Sequence, residues 1–251
     1  MSEAATQQHR DGKIVMPFYI VLDQSGSMTG DFPALQRALE GVVHAITADF
    51  VAADYVMLSI IGFGSQARTL VPLSRAEDIT VPTLQNLGGT TYSTAFQEFK
   101  RSFEQDRGRL KAEGSRVFRP CMFFLTDGEP TEADWEGKFQ SLLSYDPRTN
   151  TGYRAYPFVV AYGFRDANPD TLKKLAYPNF GEKMGRWFLA RDTDIESVFA
   201  DISGQIAMSV VSSGQTAGST AASPAGVPEL VLPEVKPQTP TSLAGLPDEL
   251  D

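Results

Sequence analysis

The feature that most constrains this chain is an apolar run, Phe18–Leu22, that ends abruptly at an acid. A short, uninterrupted apolar run is typical of a strand that is buried on both faces, as in a parallel sheet. Gly26 follows closely and allows a tight turn at the end of this strand. The side chains of Asp23, Ser25 and Ser27 can therefore converge. One carboxylate and two hydroxyls form a set of hard oxygen donors, which suits Mg²⁺, Mn²⁺ or Ca²⁺ better than zinc.

The same stretch has a plainer interpretation. Asp and Ser after a strand are common turn and helix-capping residues, so a metal-free loop stays open. Asp31 and Thr131, each ahead of a predicted helix, are likewise predicted to be N-caps. Two later stretches favour a metal site. They are the G-G-T-T sequence of Gly88–Thr91 and a second apolar strand that ends in the L-T-D-G sequence of Leu125–Gly128.

The order of predicted elements favours an α/β fold. Apolar strands, among them 14–22 and 55–63, alternate with amphipathic helices, which implies a doubly wound, mostly parallel, Rossmann-like sheet with helices on both faces. Residues 67–73 predict one antiparallel edge strand. In such sheets ligands bind beyond the C-terminal ends of the strands, at a topological switch point. Three loops can meet there and offer the following side chains: Asp23, Ser25, Ser27, Thr90 and Asp127.

Composition narrows the classes of function. The 251 residues are 42% hydrophobic, enough for a substantial core, and carry a net charge of −9, which argues against nucleic acid and anionic membrane surfaces as partners. Cys121 is the only cysteine, so no intrachain disulfide is possible. The polar N-terminus lacks the apolar core of a signal peptide, and no stretch reaches the length of a transmembrane helix. We therefore expect a cytoplasmic protein that binds neither nucleic acid nor membranes.

Composition also predicts three segments. Residues 1–13 read as a flexible leader, 14–211 as one domain that ends in an amphipathic helix, and 212–251 as a disordered, acidic tail rich in Pro, Ser and Ala and dispensable for folding. The tail contains one apolar cluster, Val227–Val235, whose centre, Leu230–Leu232, is flanked by Pro228 and Pro233 and is therefore biased toward an extended backbone. This cluster is either a plain linker or a short strand that docks a second protein.

The motifs together resemble a known family. D-Q-S-G-S-M, G-G-T-T and L-T-D-G, in this order and setting, are similar to the three-part motif of the von Willebrand factor A (VWA) family over residues 14–211. In that family the motif forms a metal-ion-dependent adhesion site (MIDAS). The runs P-F-Y-I-V-L-D-Q-S-G-S-M and F-F-L-T-D-G-E-P-T look closest to bacterial TerY-type proteins, a tellurium-resistance group. The resemblance thus points to a stress-related system.

The resemblance implies roles for individual residues. The hydroxyls of Ser25, Ser27 and Thr90 would bind the metal directly, with Thr91 as the alternative to Thr90. The carboxylates of Asp23 and Asp127 would bind it directly or through water. The family's metal keeps an open coordination position, which would accept an Asp or Glu carboxylate of a partner protein. The resemblance therefore implies a binding module rather than an enzyme.

The rival expectation is an Mg²⁺-dependent phosphohydrolase of the haloacid dehalogenase type. Such an enzyme also begins with an Asp at the end of a strand, but it needs a second acid two residues later to protonate the leaving group. Ser25 occupies that position here, and no lysine follows in a matching phosphate-binding loop. The sequence therefore favours binding over catalysis.

Overall fold

The computed structural model describes residues 12–190, 194–221, 227–234 and 243–244. The strands are β1 Ile14–Asp23, β2 Val56–Phe63, β3 Ala67–Ser74, β4 Arg116–Val117, β5 Cys121–Thr126, β6 Tyr145–Asp146, β7 Thr151–Gly152, β8 Phe158–Phe164, β9 Arg186–Ala190 and β10 Leu243–Ala244. The helices are α1 Phe32–Ala48, α2 Phe50–Tyr55, α3 Tyr92–Ala112, α4 Trp135–Leu143, α5 Pro169–Leu175 and α6 Ile195–Ala221. Two 3₁₀ helices, Gly26–Asp31 and Ala76–Asp78, follow β1 and β3.

The main sheet has the strand order β3-β2-β1-β5-β8-β9-β10, and β4 also pairs with β1. The pairs from β2 through β9 are parallel, and β3 runs antiparallel to β2 at one edge. This confirms the predicted doubly wound, mostly parallel sheet with an antiparallel edge strand. The sequence did not predict the short antiparallel pair of β10 with β9 at the opposite edge. β6 and β7 form a separate hairpin.

Strand β1 lies at the switch point of this sheet. The chain places β2 on one side of β1 and later returns to place β5 on the other side. Leu22 pairs with Leu125 in the parallel β1–β5 ladder, so the two strands end side by side. The loops that follow Asp23 and Thr126 therefore leave the sheet next to each other, which is where ligands bind in folds of this kind.

Helices cover both faces of β1. Phe18 and Ile20 point into a core layer that β1 shares with α1 and α6, whereas Tyr19 and Val21 point into a layer with α3, α4 and α5. Because each face is buried, the strand has no polar alternation, and this explains the uninterrupted apolar run in the sequence. Within the described residues no helix is both long and apolar enough to cross a membrane.

The C-terminal region corrects the predicted boundary at residue 211. Helix α6 continues to Ala221, and residues 227–234 then return along it. Leu230 and Leu232 are buried in the core layer of α1 and α6. The predicted disordered tail is therefore wrong for 212–221 and 227–234. Most of the remaining tail, and residues 1–11 of the predicted leader, lie outside the described residues.

Hydroxyl groups of α6 hold the return segment, residues 227–234. The Ser213 hydroxyl accepts a 2.8 Å hydrogen bond from the Val231 N–H, and the Ser209 hydroxyl donates to the Val231 carbonyl. Thr216 donates to the Glu229 carbonyl at 2.6 Å. Backbone groups of an extended segment must find such partners when they are buried. The Ser- and Thr-rich composition that predicted disorder thus supplies the hydrogen-bond partners of a packed segment.

Candidate metal-binding site

The buried carboxylate of Asp23 lies at the base of the site. Its Oδ1 accepts a 2.9 Å hydrogen bond from the Ser25 N–H, and its Oδ2 accepts a 2.7 Å bond from the Thr126 hydroxyl. The first bond closes the tight turn after β1, and the second joins the ends of β1 and β5. Both oxygens of Asp23 are therefore fixed in position by the fold.

A chain of hydrogen bonds connects the loop after β1 to the loop after β5. The Ser25 and Ser27 hydroxyl oxygens are 3.0 Å apart, and Ser27 donates a 3.0 Å bond to Oδ1 of Asp127. Four of the five predicted site residues are thus linked through hydrogen bonds at the switch point. Their role as metal ligands stays a prediction.

The Gly-Gly loop lies between these loops and the end of β2. The Gly26 N–H donates to the Gly88 carbonyl at 2.9 Å, and the Leu87 N–H donates to the Gln24 carbonyl at 2.7 Å. Gly88 has a φ of +94°, a left-handed conformation that favours glycine. Main-chain hydrogen bonds therefore fix this loop against the D-Q-S-G-S turn, independently of any ligand.

Thr90, the fifth predicted residue, is buried beside the loop after β5. Its carbonyl accepts hydrogen bonds from the N–H and the hydroxyl of Thr131, at 2.8 and 3.0 Å. The predicted N-cap role of Thr131 is therefore wrong: α4 begins later, at Trp135, and Thr131 joins two site loops instead. Thr91 occupies the N-cap position of α3. The backbone of Thr90, rather than that of Thr91, is tied to the loop of Asp127.

The two carboxylates of the site lie in a poorly solvated environment. The pKa of Asp23 is raised to about 6, mainly by burial and to a smaller extent by nearby Asp127, against the opposing effect of its hydrogen bonds from Ser25 and Thr126. Burial also raises the pKa of Asp127, although the Ser27 hydroxyl and the Arg165 guanidinium lower it. Two acids with raised pKa values lack sufficient positive charge around them. A divalent cation would supply that charge.

Arg165, which follows β8, approaches the site from its rim. Its guanidinium donates to Oδ1 of buried Asp31 and, at 3.3 Å, to the Ser27 carbonyl; it also lies 3.8 Å from Oδ2 of Asp127. Asp31 occupies the predicted N-cap position of α1, but its side chain makes no capping bond and forms an ion pair with Arg165 instead. Sequence reasoning missed Arg165. Its position directly after an apolar strand was the only available signal.

Tyr92 supports the site from below. Its hydroxyl donates to the Gly128 carbonyl at 2.8 Å and lies 3.3 Å from the hydroxyl oxygen of Thr126. The ring packs edge-on against Phe124 and Trp135. The hydrogen-bond chain that orients Asp23 therefore ends in the aromatic core. Sequence reasoning also missed the roles of Thr126, which lies inside the L-T-D-G motif, and of Tyr92, which directly follows G-G-T-T.

The donor set fits a hard divalent cation. The five predicted residues offer only hydroxyl and carboxylate oxygens, which Mg²⁺, Mn²⁺ and Ca²⁺ prefer. Across the described part of the chain, no three His, Cys, Asp or Glu residues cluster so that they could hold a metal. A site here must therefore depend on the hydroxyls of Ser25, Ser27 and Thr90 beside its two acids. If bound, the cation would supply a Lewis-acidic centre for an anionic oxygen.

Fold and site together define a class: a doubly wound α/β domain with a set of hydroxyl and carboxylate side chains, a candidate ion site, at its switch point. The family model described as the von Willebrand factor type A domain matches residues 18–201, and the chain belongs to this family. A search of curated proteins returned no match.

Solved structures share the fold. A von Willebrand factor type A protein from Catenulispora acidiphila is 17% identical, with a TM-score of 0.55, and the alignment covers 79% of this chain and 43% of that one. Proximal thread matrix protein 1 from the mussel byssus is 14% identical with a TM-score of 0.53, and the alignment covers 80% of this chain and 49% of that one. A structure of the same mussel protein with a zinc-occupied MIDAS motif is 14% identical with a TM-score of 0.51, and the alignment covers 78% of this chain and 49% of that one. The chain thus spans less than half of each of these structures.

Proposed function

We propose that this chain is a metal-dependent protein–protein interaction module. Its MIDAS-type site would hold a divalent cation, with Mg²⁺ the first choice and Mn²⁺ or Ca²⁺ as alternatives, and would bind an Asp or Glu carboxylate of a partner protein. The observation that carries the proposal is the hydrogen-bonded set of Asp23, Ser25, Ser27 and Asp127 at the switch point. Membership of the VWA family supports it.

We further propose that the chain is not an enzyme. The loops at the switch point, 23–27, 88–91 and 127–129, contain no histidine, lysine or cysteine that could act as a base or nucleophile. Ser25 stands where a phosphohydrolase of the haloacid dehalogenase type needs its second acid. Its hydroxyl lies 3.0 Å from that of Ser27, which suits metal ligation. Phosphate release with Mg²⁺ or Mn²⁺ that disappears in Asp23→Asn would instead support the enzyme.

The finer assignment is to a TerY-like stress or tellurium-resistance system in the bacterial cytoplasm. It rests on the resemblance of the two motif-bearing strands and stays a sequence-based proposal. Docking of a second protein on Leu230–Leu232 has weaker support, because Leu230 and Leu232 pack into the chain's own core. A partner would first have to displace them.

Titration calorimetry with Mg²⁺ and Mn²⁺ tests the proposal. We expect one ion per wild-type chain and a loss of binding in both Asp23→Ala and Asp127→Ala. Circular dichroism should remain native, because Asp23 is the last residue of β1 and Asp127 directly follows β5, so neither change removes an apolar core side chain. Glu40→Ala, which removes one exposed acid from α1, is the matched control and should bind normally. Unchanged affinity in both site variants would refute the assignment.

A further inference from the structure

The side chain of Arg165 is anchored on one side and open on the other. One terminal nitrogen donates to Asp31 and the other to the Ser27 carbonyl. A guanidinium carries five N–H donors, so these two bonds leave others unused. The side chain is 40% exposed, whereas the Asp31 side chain is only 3% exposed. Part of the side chain is therefore open to solvent at the rim of the site.

The backbone directs this side chain toward the site. Arg165 has a φ of +54°, which is uncommon for a residue other than glycine, and it follows the last residue of β8. Strand β8 is the parallel neighbour of β5, so its C-terminal end opens on the same edge of the sheet as Asp127. A left-handed residue in this place costs conformational energy and is often found at functional sites.

The charge of Arg165 is shared between two acids. Asp31 is buried, and its Oδ2 has no hydrogen-bond partner among the described residues, so the guanidinium is its main source of compensation. The Asp127 contact is longer, at 3.8 Å, and weaker. Buried Asp31 thus holds the guanidinium in place, and two of the five N–H donors suffice for the contacts with Asp31 and Ser27, so donors remain for another anion.

We propose that Arg165 is a specificity-determining residue, and that it and the metal together bind the partner's carboxylate. The inference rests on the proposed function. Arginine presents five N–H donors in a rigid planar fork, so it can donate to one carboxylate oxygen while other donors stay on Asp31 and Ser27. One oxygen would go to the cation and the other to Arg165. The site would therefore select a carboxylate over ligands that offer a single oxygen.

This arrangement has two opposing consequences. The guanidinium adds positive charge beside Asp127, which disfavours entry of a cation. It also adds an anion-binding group, which favours a carboxylate once the cation is present. Removal of the charge should therefore tighten metal binding and weaken carboxylate binding. A purely structural role for Arg165 would not move the two affinities in opposite directions.

The test compares wild type with Arg165→Gln and Arg165→Lys. Mn²⁺ affinity is measured by calorimetry, and acetate is then titrated into the Mn²⁺-saturated protein while water-proton relaxation is followed. For Arg165→Gln we expect roughly ten-fold tighter Mn²⁺ binding and roughly ten-fold weaker acetate binding. Arg165→Lys keeps the charge but not the fork, so Mn²⁺ affinity should stay near wild type while acetate binding weakens.

Arg37→Gln is the matched control, because Arg37 is an exposed arginine on α1 that pairs with a single acid, Glu196. It should change neither affinity. If wild type binds Mn²⁺ but Arg165→Gln leaves both affinities unchanged, or weakens both, the role of Arg165 is refuted while the proposed function stands. If wild type binds no divalent ion, the proposed function fails first. Arg165→Lys keeps the test decisive if the glutamine variant folds poorly.

Discussion

Thr126 donates a 2.7 Å hydrogen bond to the buried carboxylate of Asp23. The two residues end neighbouring parallel strands, β1 and β5, at the switch point of the sheet. The bond stabilises the charged form of Asp23 in a place where burial favours the neutral form. Thr126 is therefore a positioning residue for the candidate ion site, although it is not a predicted ligand.

Thr126→Val should weaken metal binding. The valine keeps the shape of threonine but removes the hydroxyl, so the pKa of Asp23 should rise further. A hydrogen bond to a charged group contributes about 1.5–3 kcal/mol, so we expect Mg²⁺ affinity at pH 7 to fall roughly ten-fold or more. Thr126→Ser keeps the hydroxyl and serves as the control in calorimetry. Wild-type affinity in the valine variant would contradict this role.

The metal-free protein should become more stable as the pH falls from 7 to 5. The folded-state pKa of Asp23 is about 6, raised from 3.8, so the folded chain binds this proton more tightly than the unfolded chain. The stabilisation is full below pH 3.8 and is lost as the pH rises through 6. It amounts to about 3 kcal/mol in total and roughly 1 kcal/mol between pH 5 and 7.

Urea denaturation in EDTA at both pH values measures this effect. Asp23→Asn provides the reference, because it cannot titrate at this position. The free energy of unfolding of wild type, relative to that of the variant, should therefore rise by roughly 1 kcal/mol as the pH falls from 7 to 5. A difference that does not depend on pH would exclude Asp23 as the titrating group.

Metal affinity should show the opposite pH dependence. A cation requires the ionised form of Asp23, whose pKa is about 6 in the metal-free protein. Well below that pH the apparent affinity should fall about ten-fold per pH unit, as protons compete with the ion. Mn²⁺ titrations between pH 5 and 8 check this. An affinity that is constant across the range would show that Asp23 does not take part.

Gly214→Ala should destabilise the protein, although alanine favours helices. A Cβ atom at Gly214 would lie 2.6 Å from Cα of Ala52 in α2, so α6 and the backbone of α2 would have to separate. We expect a loss of about 1–3 kcal/mol. Gly204→Ala, in the same helix but with no atom within 4 Å of the new Cβ, should instead stabilise by up to about 1 kcal/mol. Thermal melts that rank the two variants in reverse would contradict the close packing.

Leu230→Asp should destabilise the domain, because Leu230 is buried in the core layer of α1 and α6. Placing a charge there should cost about 2–4 kcal/mol. Val227→Asp is the matched control, because Val227 lies in the same segment but is 73% exposed. Equal melting temperatures for the two variants would restore the sequence-based prediction that the region after residue 211 is dispensable.

The sheet and the shared edge of the site loops were predictable because each depends on a local pattern. Phe18–Leu22 is apolar because β1 is covered on both faces, and Gly88 marks a turn that needs a left-handed residue. Arg165 and Asp31 were not predictable. Their pairing joins segments 134 residues apart in the sequence, and neither residue differs in type from an ordinary surface charge.

The return segment shows why composition misled the prediction. Proline and small residues usually indicate disorder because they bury little apolar area. Here two leucines provide the burial, and Ser209, Ser213 and Thr216 satisfy the backbone of the segment. That complementarity exists only after α6 has formed, so no window of the sequence contains it.

The bond between Ser27 and Asp127 spans a sequence separation of 100 residues. An unfolded chain cannot hold these groups together, so it cannot offer the same site to an ion. A cation bound there would act as a folding ligand, adding about 2.7 kcal/mol of stability at a free concentration one hundred times its Kd. The fraction of folded chains would then increase with the free concentration of the ion. Resistance to proteolysis would increase with it.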